Sequence, residues 1–224
     1  MFLSRVQLNP ARVGTRKYLS SPQVVHAAVM SAFPPGGEAR GESRSGRVLW
    51  RIDRRDMAID LYVVSPVEPD FTHIVEQAGW PTTTAWTTRK YAPLLDRLTV
   101  GQQWHFRLTA NPVLSTSHNA ARGRPRLSGL DIGDQMAWLE RKSEGNGFRL
   151  GTCGGPNGKV PDVVISDRSG RRFRRGRATV TLSTATFEGT LLVSDPPALR
   201  SALVNGIGRA KGYGCGLMTL APTT

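Results

Sequence analysis

Cysteine is scarce in this sequence, and long apolar runs are missing. Two cysteines, Cys153 and Cys215, are too few for a disulfide framework or a cysteine-built zinc site, and they fit a reducing cytoplasm. No stretch of about 18 or more apolar residues occurs, so no membrane-spanning helix is expected. The opening Met1-Phe2-Leu3-Ser4-Arg5-Val6 sets its arginine inside an alternating pattern, which suits a strand and not a signal peptide. A GK[ST] phosphate-loop ending is absent, as is GxGxxG opening a helix after a strand. So is any His, Cys and carboxylate cluster at ligand spacing, and no cofactor or metal is expected. Acidic residues are also few, with 17 against 30 basic ones, a net charge of +13 and a pI near 10.9.

What is present starts with that basic excess, which makes a polyanion the natural partner. An arginine-rich genome is a competing cause, because 25 of the basic residues are Arg and only 5 are Lys. Clustering favours a ligand. Arg168, Arg171, Arg172, Arg174, Arg175 and Arg177 fall within ten residues without one acid among them. A solvated basic hairpin remains the alternative, but its self-repulsion is unfavourable unless phosphates or other anions relieve it.

The 224 residues have room for one large domain or two of about 100 residues each. The order strand, helix, strand, strand, helix, strand is expected twice. In the first half a strand over 2–9 is followed by a basic loop with Arg12, Arg16 and Lys17. Ser20 or Ser21 then caps a helix with Pro22 in its first turn, where Val25, Ala28, Val29 and Ala32 recur at helical spacing. Strands over 47–53 and 58–65, a short helix over 71–77 and a strand over 85–91 complete this half. The second half opens on a strand where Trp104, Phe106 and Leu108 alternate with His105, Arg107 and Thr109. A basic loop with Arg122, Arg124 and Arg126 leads to a helix over 131–143, with Ile132, Met136 and Leu139 on its apolar face. Residues 148–177 suggest an inserted basic hairpin. Strands over 178–183 and 186–193, a helix opened by Asp195-Pro196-Pro197 and a final strand over 215–220 follow. The expected fold is therefore α+β, with tandem ferredoxin-like (RRM-like) domains over 1–95 and 101–224 and a basic hairpin insertion in the second.

The segment Gly206-Ile207-Gly208-Arg209-Ala210-Lys211-Gly212-Tyr213-Gly214-Cys215-Gly216 carries the most distinctive chemistry. Glycine permits positive φ and close backbone approach, so amides can converge on a phosphate while Arg209 and Lys211 supply charge. A tight turn between the last helix and the last strand is the competing explanation. Of the four histidines, His26 lies on the first helix beside the basic loop, as a proton-transfer group or as a packing residue; His73, His105 and His118 have more ordinary settings.

Gly206, Gly208, Gly214 and Gly216 fit the pattern G-h-G-x5-G-h-G (h apolar), with Ile207 and Cys215 at the apolar positions. Together with Phe2-Leu3-Ser4-Arg5-Val6, Arg107-Leu108-Thr109-Ala110-Asn111-Pro112, Met136-Ala137-Trp138-Leu139-Glu140-Arg141-Lys142, Phe187-Glu188-Gly189 and Leu220-Ala221-Pro222, the loop gives the chain an end-to-end resemblance to CasE, the repeat-processing endoribonucleases of type I-E Cascade systems. The resemblance implies metal-independent cleavage of CRISPR precursor RNA at the base of the repeat hairpin. It implies as partners the repeat hairpin, the mature guide RNA and other Cascade subunits, with no membrane. It also implies that His26 is catalytic. Gln23 stands where the family commonly has tyrosine, and either Gln23, by hydrogen bonding, or Tyr18, from the preceding loop, is expected to take that place. Arg12, Arg16 and Lys17 are expected to grip the cleavage end. Arg122, Arg124, Arg126, Arg171, Arg172, Arg174 and Arg175 are expected to hold the hairpin, with Gly206, Gly208, Arg209, Lys211, Gly214 and Gly216 forming the anion-binding loop. A non-catalytic RNA-binding subunit of a CRISPR complex needs the same fold and loop, and a basic protein-interaction scaffold stands behind it.

Overall fold

A computed structural model describes residues 1–35, 46–55, 58–81, 86–113, 131–155, 158–176 and 178–223. The first half runs β1 (Phe2–Leu8), α1 (Val13–Ser20), α2 (Pro22–Met30), β2 (Leu49–Arg55), β3 (Ala58–Ser65), α3 (Thr72–Ala78) and β4 (Thr87–Lys90), and the short α4 (Ala92–Asp96) closes it. Its strands form one antiparallel sheet in the order β2-β3-β1-β4. The second half runs β5 (Gln103–Ala110), α5 (Ile132–Glu144), β6 (Phe148–Leu150), β7 (Thr152–Gly155), β8 (Gly158–Pro161), β9 (Val163–Arg175), β10 (Ala178–Val193), α6 (Pro196–Asn205) and β11 (Met218–Pro222). Its sheet has the order β11-β5-β10-β6, β9 also pairs with β10, and β7 and β8 form a separate hairpin.

Burial follows the period of each element. In β5 Trp104, Phe106, Leu108 and Ala110 point inward at every second position, as the alternation predicts. In α2 Pro22, Val25 and Val29 are buried at helical spacing. Val6, Leu8, Val25, Leu61, Val63, Phe71 and Ile74 make a core confined to the first half. The second core is not confined in this way: Leu49, Val64 and Tyr91 from the first half join Phe106, Leu108, Trp138, Phe187 and Leu199. Apolar packing therefore runs unbroken from one half into the other.

A buried guanidinium reinforces that junction. Arg51 of β2, with its side chain only 2% exposed, donates from Nε and Nη2 to the two carboxylate oxygens of Asp53 at 2.7 and 2.9 Å. Its other N–H groups reach the second half, to Arg107 O (2.7 Å), Leu217 O (2.9 Å) and Thr219 Oγ1 (2.8 Å). All five guanidinium donors are satisfied, which is what makes a buried charge tolerable. Arg107 extends the network from Asp53 to Glu188, with Nη1 2.7 Å from Oε1.

Four expectations change. Residues 13–20 are a helix and not a loop, because Gly14 lets the segment lie directly on α3 and Thr15 donates to Ala78 O at 3.0 Å. Tertiary contact outweighs a weak local preference there. The two strands expected over 178–193 are one, with a register irregularity between Thr184 and Thr186 in place of a break. The expected basic hairpin is present, but its second strand is β10 itself, so it continues the sheet. In α5 the buried face is Gln135, Trp138, Leu139 and Ser143, while Ile132 is 58% exposed. Stacking of Trp138 on Phe187, with ring centroids 5.8 Å apart, sets that rotation.

Substituting Arg51→Ala leaves the buried Asp53 carboxylate with only the 3.4 Å contact of Arg107 Nε, and the expected loss is about 3 kcal/mol in a urea unfolding experiment. A loss under about 1 kcal/mol would mean that apolar contacts alone hold the halves together.

Candidate functional site

The site begins at a one-residue break. Ser21, extended at φ −149° and ψ 119°, ends α1 and starts α2, and Pro22 occupies the first turn where its missing N–H is harmless. His26 follows one turn after Pro22 and shares a helix face with Gln23. His26 and Gln23 are half-buried, and the Gln23 Oε1 is a buried acceptor without a hydrogen-bond partner among the described residues.

The glycine-rich loop arrives from the other end of the chain. Gly206, Gly208, Gly214 and Gly216 all have φ between +76° and +89°. At Gly214 an added Cβ would also lie 2.6 Å from the Trp50 ring, so this position excludes side chains twice over. The stems of the loop are internally bonded: Gly206 N donates to Ala202 O (2.8 Å), Ile207 N to Gly216 O (2.9 Å) and Gly216 N to Thr109 O (2.7 Å). These amides are committed to the fold, which narrows the anion-cradle expectation to the tip of the loop. There Lys211–Tyr213 form a single 3-10 turn packed on α2. A Cβ at Gly212 would lie 3.7 Å from His26 Cε1, and the Tyr213 ring meets the imidazole edge-on at 6.3 Å and 61°.

β9 supplies a third wall. Alternation along the strand puts Arg171 and Phe173 on one side and Arg172 and Arg174 on the other, where both are exposed. Phe173 contacts the Tyr213 ring at 4.9 Å and 66°. The resulting cleft is lined by Tyr18, Pro22, Val25, Arg54, Arg171 and Tyr213, among others.

Its electrostatics are unrelieved. Burial, and then the like charge of Arg54, push the Arg171 guanidinium below its ordinary pKa, with Asp167 a minor counterweight. Burial, followed by Arg47 and Lys142, pushes the Lys211 ammonium down in the same way. The Tyr18 hydroxyl donates to Gln77 Oε1 at 3.2 Å, and burial raises its pKa. Buried Cys215 is pushed up to about 12 by desolvation, against a smaller opposing effect of Arg171.

His26 thus meets the loop tip at Tyr213, and Tyr18 and Arg171 line the cleft beside it with Tyr213; among the described residues His26, Gln23 and Lys211 are not part of that lining. Arg16, Lys17 and Arg209 are exposed, and Arg12 is occupied by donating from Nη1 to Glu76 O. Arg122, Arg124 and Arg126 lie outside the described residues, as does the side chain of Arg175. Sequence reasoning missed Tyr213, Phe173 and Arg54. For Tyr213 a signal existed, as the one aromatic in a loop of glycines and cations; Phe173 alternates with Arg171; Arg54 has no local signature. Among the described residues no group of three His, Cys, Asp or Glu side chains converges as metal ligands, and no helix is long and apolar enough to cross a membrane.

Gly214→Ala is expected to cost about 2 kcal/mol or more in thermal or urea unfolding, from left-handed strain plus overpacking. Gly212→Ala is expected to leave stability within about 0.5 kcal/mol, because its Cβ finds ordinary contact distance and an ordinary φ. With a thiol reagent at pH 8, exposed Cys153 is expected to react in the native protein and Cys215 only after denaturation, since a thiol with a pKa near 12 is almost wholly protonated there.

Comparison with known proteins shows the family of the chain. The family model described as CRISPR associated protein matches residues 1–222. The CRISPR-associated endoribonuclease Cse3 of Thermus thermophilus is 30% identical over 99% of this chain and 100% of its own length. The CRISPR system Cascade subunit CasE of Escherichia coli is 35% identical over 78% of this chain and 88% of its own. Thermus thermophilus Cse3 bound to an RNA representing a pre-cleavage complex superposes with a TM-score of 0.77 at 31% identity, covering 99% of this chain and 98% of that one. Matched over nearly its whole length, and by relatives named Cse3 and CasE, the chain belongs to the CRISPR-associated protein family, in the CasE group that its sequence resembles.

Proposed function

We propose that this protein is a metal-independent endoribonuclease that cuts CRISPR precursor RNA at the base of the repeat hairpin and releases mature guide RNA. The observation that carries the reading is the contact of His26 with Tyr213 of the cationic glycine loop, a residue that also lines a cleft with Arg54 and Arg171. The named activity of Cse3 and its solved complex with a pre-cleavage RNA support the same reading. Assembly with other Cascade subunits in the cytoplasm follows from the likeness to CasE.

In the proposed reaction the ribose 2′-OH loses its proton and its oxygen bonds to phosphorus in line. The bond from phosphorus to the 5′-oxygen breaks, and that oxygen takes a proton. The products are a 2′,3′-cyclic phosphate and a 5′-OH. His26 is the proton-transfer group, a role that supplies about 10²- to 10⁴-fold in rate. The unpartnered Gln23 Oε1 accepts a hydrogen bond from the 2′-OH and aims it. Arg171 and Arg54, crowded together in the free protein, hold the phosphate and offset its developing charge. Tyr18 forms cleft wall: its bond to Gln77 and its raised pKa both oppose proton transfer.

Outside the cleft, exposed Arg16, Lys17, Arg172, Arg174, Arg209 and half-buried Lys211 grip the RNA through phosphates, and Arg122, Arg124, Arg126 and Arg175 are assigned the same task. We also assign the two halves, 1–95 and 101–224, as tandem ferredoxin-like domains. The matching sheet orders β2-β3-β1-β4 and β11-β5-β10-β6 support this, since each places the first and third strands of its unit at the centre.

Incubating the purified protein with its cognate repeat hairpin in EDTA tests the reading. Wild type is expected to cut; His26→Ala keeps hairpin affinity but loses at least about 10²-fold in rate, and a 2′-deoxy nucleotide at the cut site blocks cleavage. Tight binding without cutting would favour a non-catalytic subunit, and cleavage restored only by added metal would overturn metal independence. Hairpin affinity is expected to fall steeply with salt, and Arg171→Ala to reduce the log–log slope by about 1.

A further inference from the structure

The cleft holds a tyrosine hydroxyl that the reaction above does not use. Tyr213 sits half-buried at the tip of the glycine loop and lines the cleft together with Arg54 and Arg171. Its ring is held edge-on from two sides, by His26 of α2 at 6.3 Å and by Phe173 of β9 at 4.9 Å. Those contacts come from different halves of the chain, so the ring is fixed only when the halves are assembled. The direction of entry is fixed as well: Gly214, at φ +81°, turns the backbone immediately after the tyrosine and packs on Trp50. Edge-to-face packing on two sides sets the orientation of the phenol.

The two tyrosine hydroxyls of the cleft differ in what they are bonded to. Tyr18 donates to Gln77, whereas the Tyr213 hydroxyl makes no hydrogen bond among the described residues. A phenol is a neutral donor and can serve an oxyanion without giving up its proton. It stands beside the histidine and lines the same cleft as Arg54 and Arg171, whose charges attract a phosphate. We propose that Tyr213 is a catalytic residue: its ring holds the His26 imidazole edge-on, and its hydroxyl donates a hydrogen bond to a non-bridging oxygen of the scissile phosphate as charge builds there. This rests on the endoribonuclease reading above. No atom is transferred in this step; a preorganised donor stabilises the phosphorane, an effect for which loss of one donor costs about 10²- to 10³-fold.

The experiment is single-turnover cleavage of the repeat hairpin by wild type, His26→Ala and Tyr213→Phe, each on normal RNA and on both phosphorothioate diastereomers at the cut site. Tyr213→Phe keeps the ring contacts, so hairpin affinity and thermal stability are expected to match wild type while cleavage of normal RNA slows about 10²-fold. On one diastereomer, where sulfur replaces the oxygen that the phenol serves, wild type and Tyr213→Phe should cut at nearly equal rates, which a merely structural role would not produce. Wild-type cleavage by Tyr213→Phe, with His26→Ala inactive, overturns the proposal and leaves the endoribonuclease reading standing. An equal slowing on all three substrates overturns the hydrogen bond to phosphate. A wild-type protein that leaves the hairpin whole overturns both.

Discussion

Everything at the cleft depends on how the two halves are held, and the buried Arg51 guanidinium is where that constraint is most specific. Apolar packing across the junction, through Leu49, Val64 and Tyr91, supplies area but little direction. Arg51 supplies direction, because its planar fork bonds Asp53 on its own strand and two carbonyls and a hydroxyl on the other half. The same strand continues the work on both sides of it. Leu49 lies under Gly206, Trp50 lies under Gly214, and Arg54 opens into the cleft. One strand thereby sets the seat of the glycine loop, the join between halves and one wall of the site.

The loop divides into parts with different physical tasks. Its stems are bound into the fold by left-handed glycines and by amides bonded to Ala202, Gly216 and Thr109. Its tip carries the charge and the aromatic ring and meets α2. A rigid stem and a half-buried tip give accurate placement, which the proposed charge stabilisation demands, since preorganised groups do not spend free energy turning toward the phosphate. The cost appears in the free protein as like charges held close, Arg171 near Arg54 and Lys211 near Arg47 and Lys142. In the proposed function an RNA phosphate relieves that repulsion, so the free energy held in like charges becomes affinity for the substrate.

Much of the secondary structure was legible because burial in this chain is periodic. The alternation of Trp104, Phe106 and Leu108 and the helical spacing of Val25 and Val29 report inward faces directly. Legibility failed where a neighbour, and not the segment itself, decides. α1 has no apolar stripe and includes a glycine, and it is helical because α3 lies against it. The rotation of α5 is set by Phe187 across the core, and the continuity of β10 by its long pairing with β9. Likewise the arginine cluster is one run in sequence but two faces in space, since a strand sends adjacent side chains in opposite directions.

By itself the sequence pointed to the family, to His26 and the cationic glycine loop as separate chemical elements, and to a polyanionic partner. These are properties of residue type and spacing, which a linear pattern carries in full. Tertiary structure alone decided that His26 meets the loop tip, that Arg171 turns into the cleft beside it while Arg172 and Arg174 turn away, and that Tyr213 is wedged between His26 and Phe173. The physical reason is that these contacts join elements far apart in the chain through the packing of two sheets, and such packing depends on shape and register that no local pattern records.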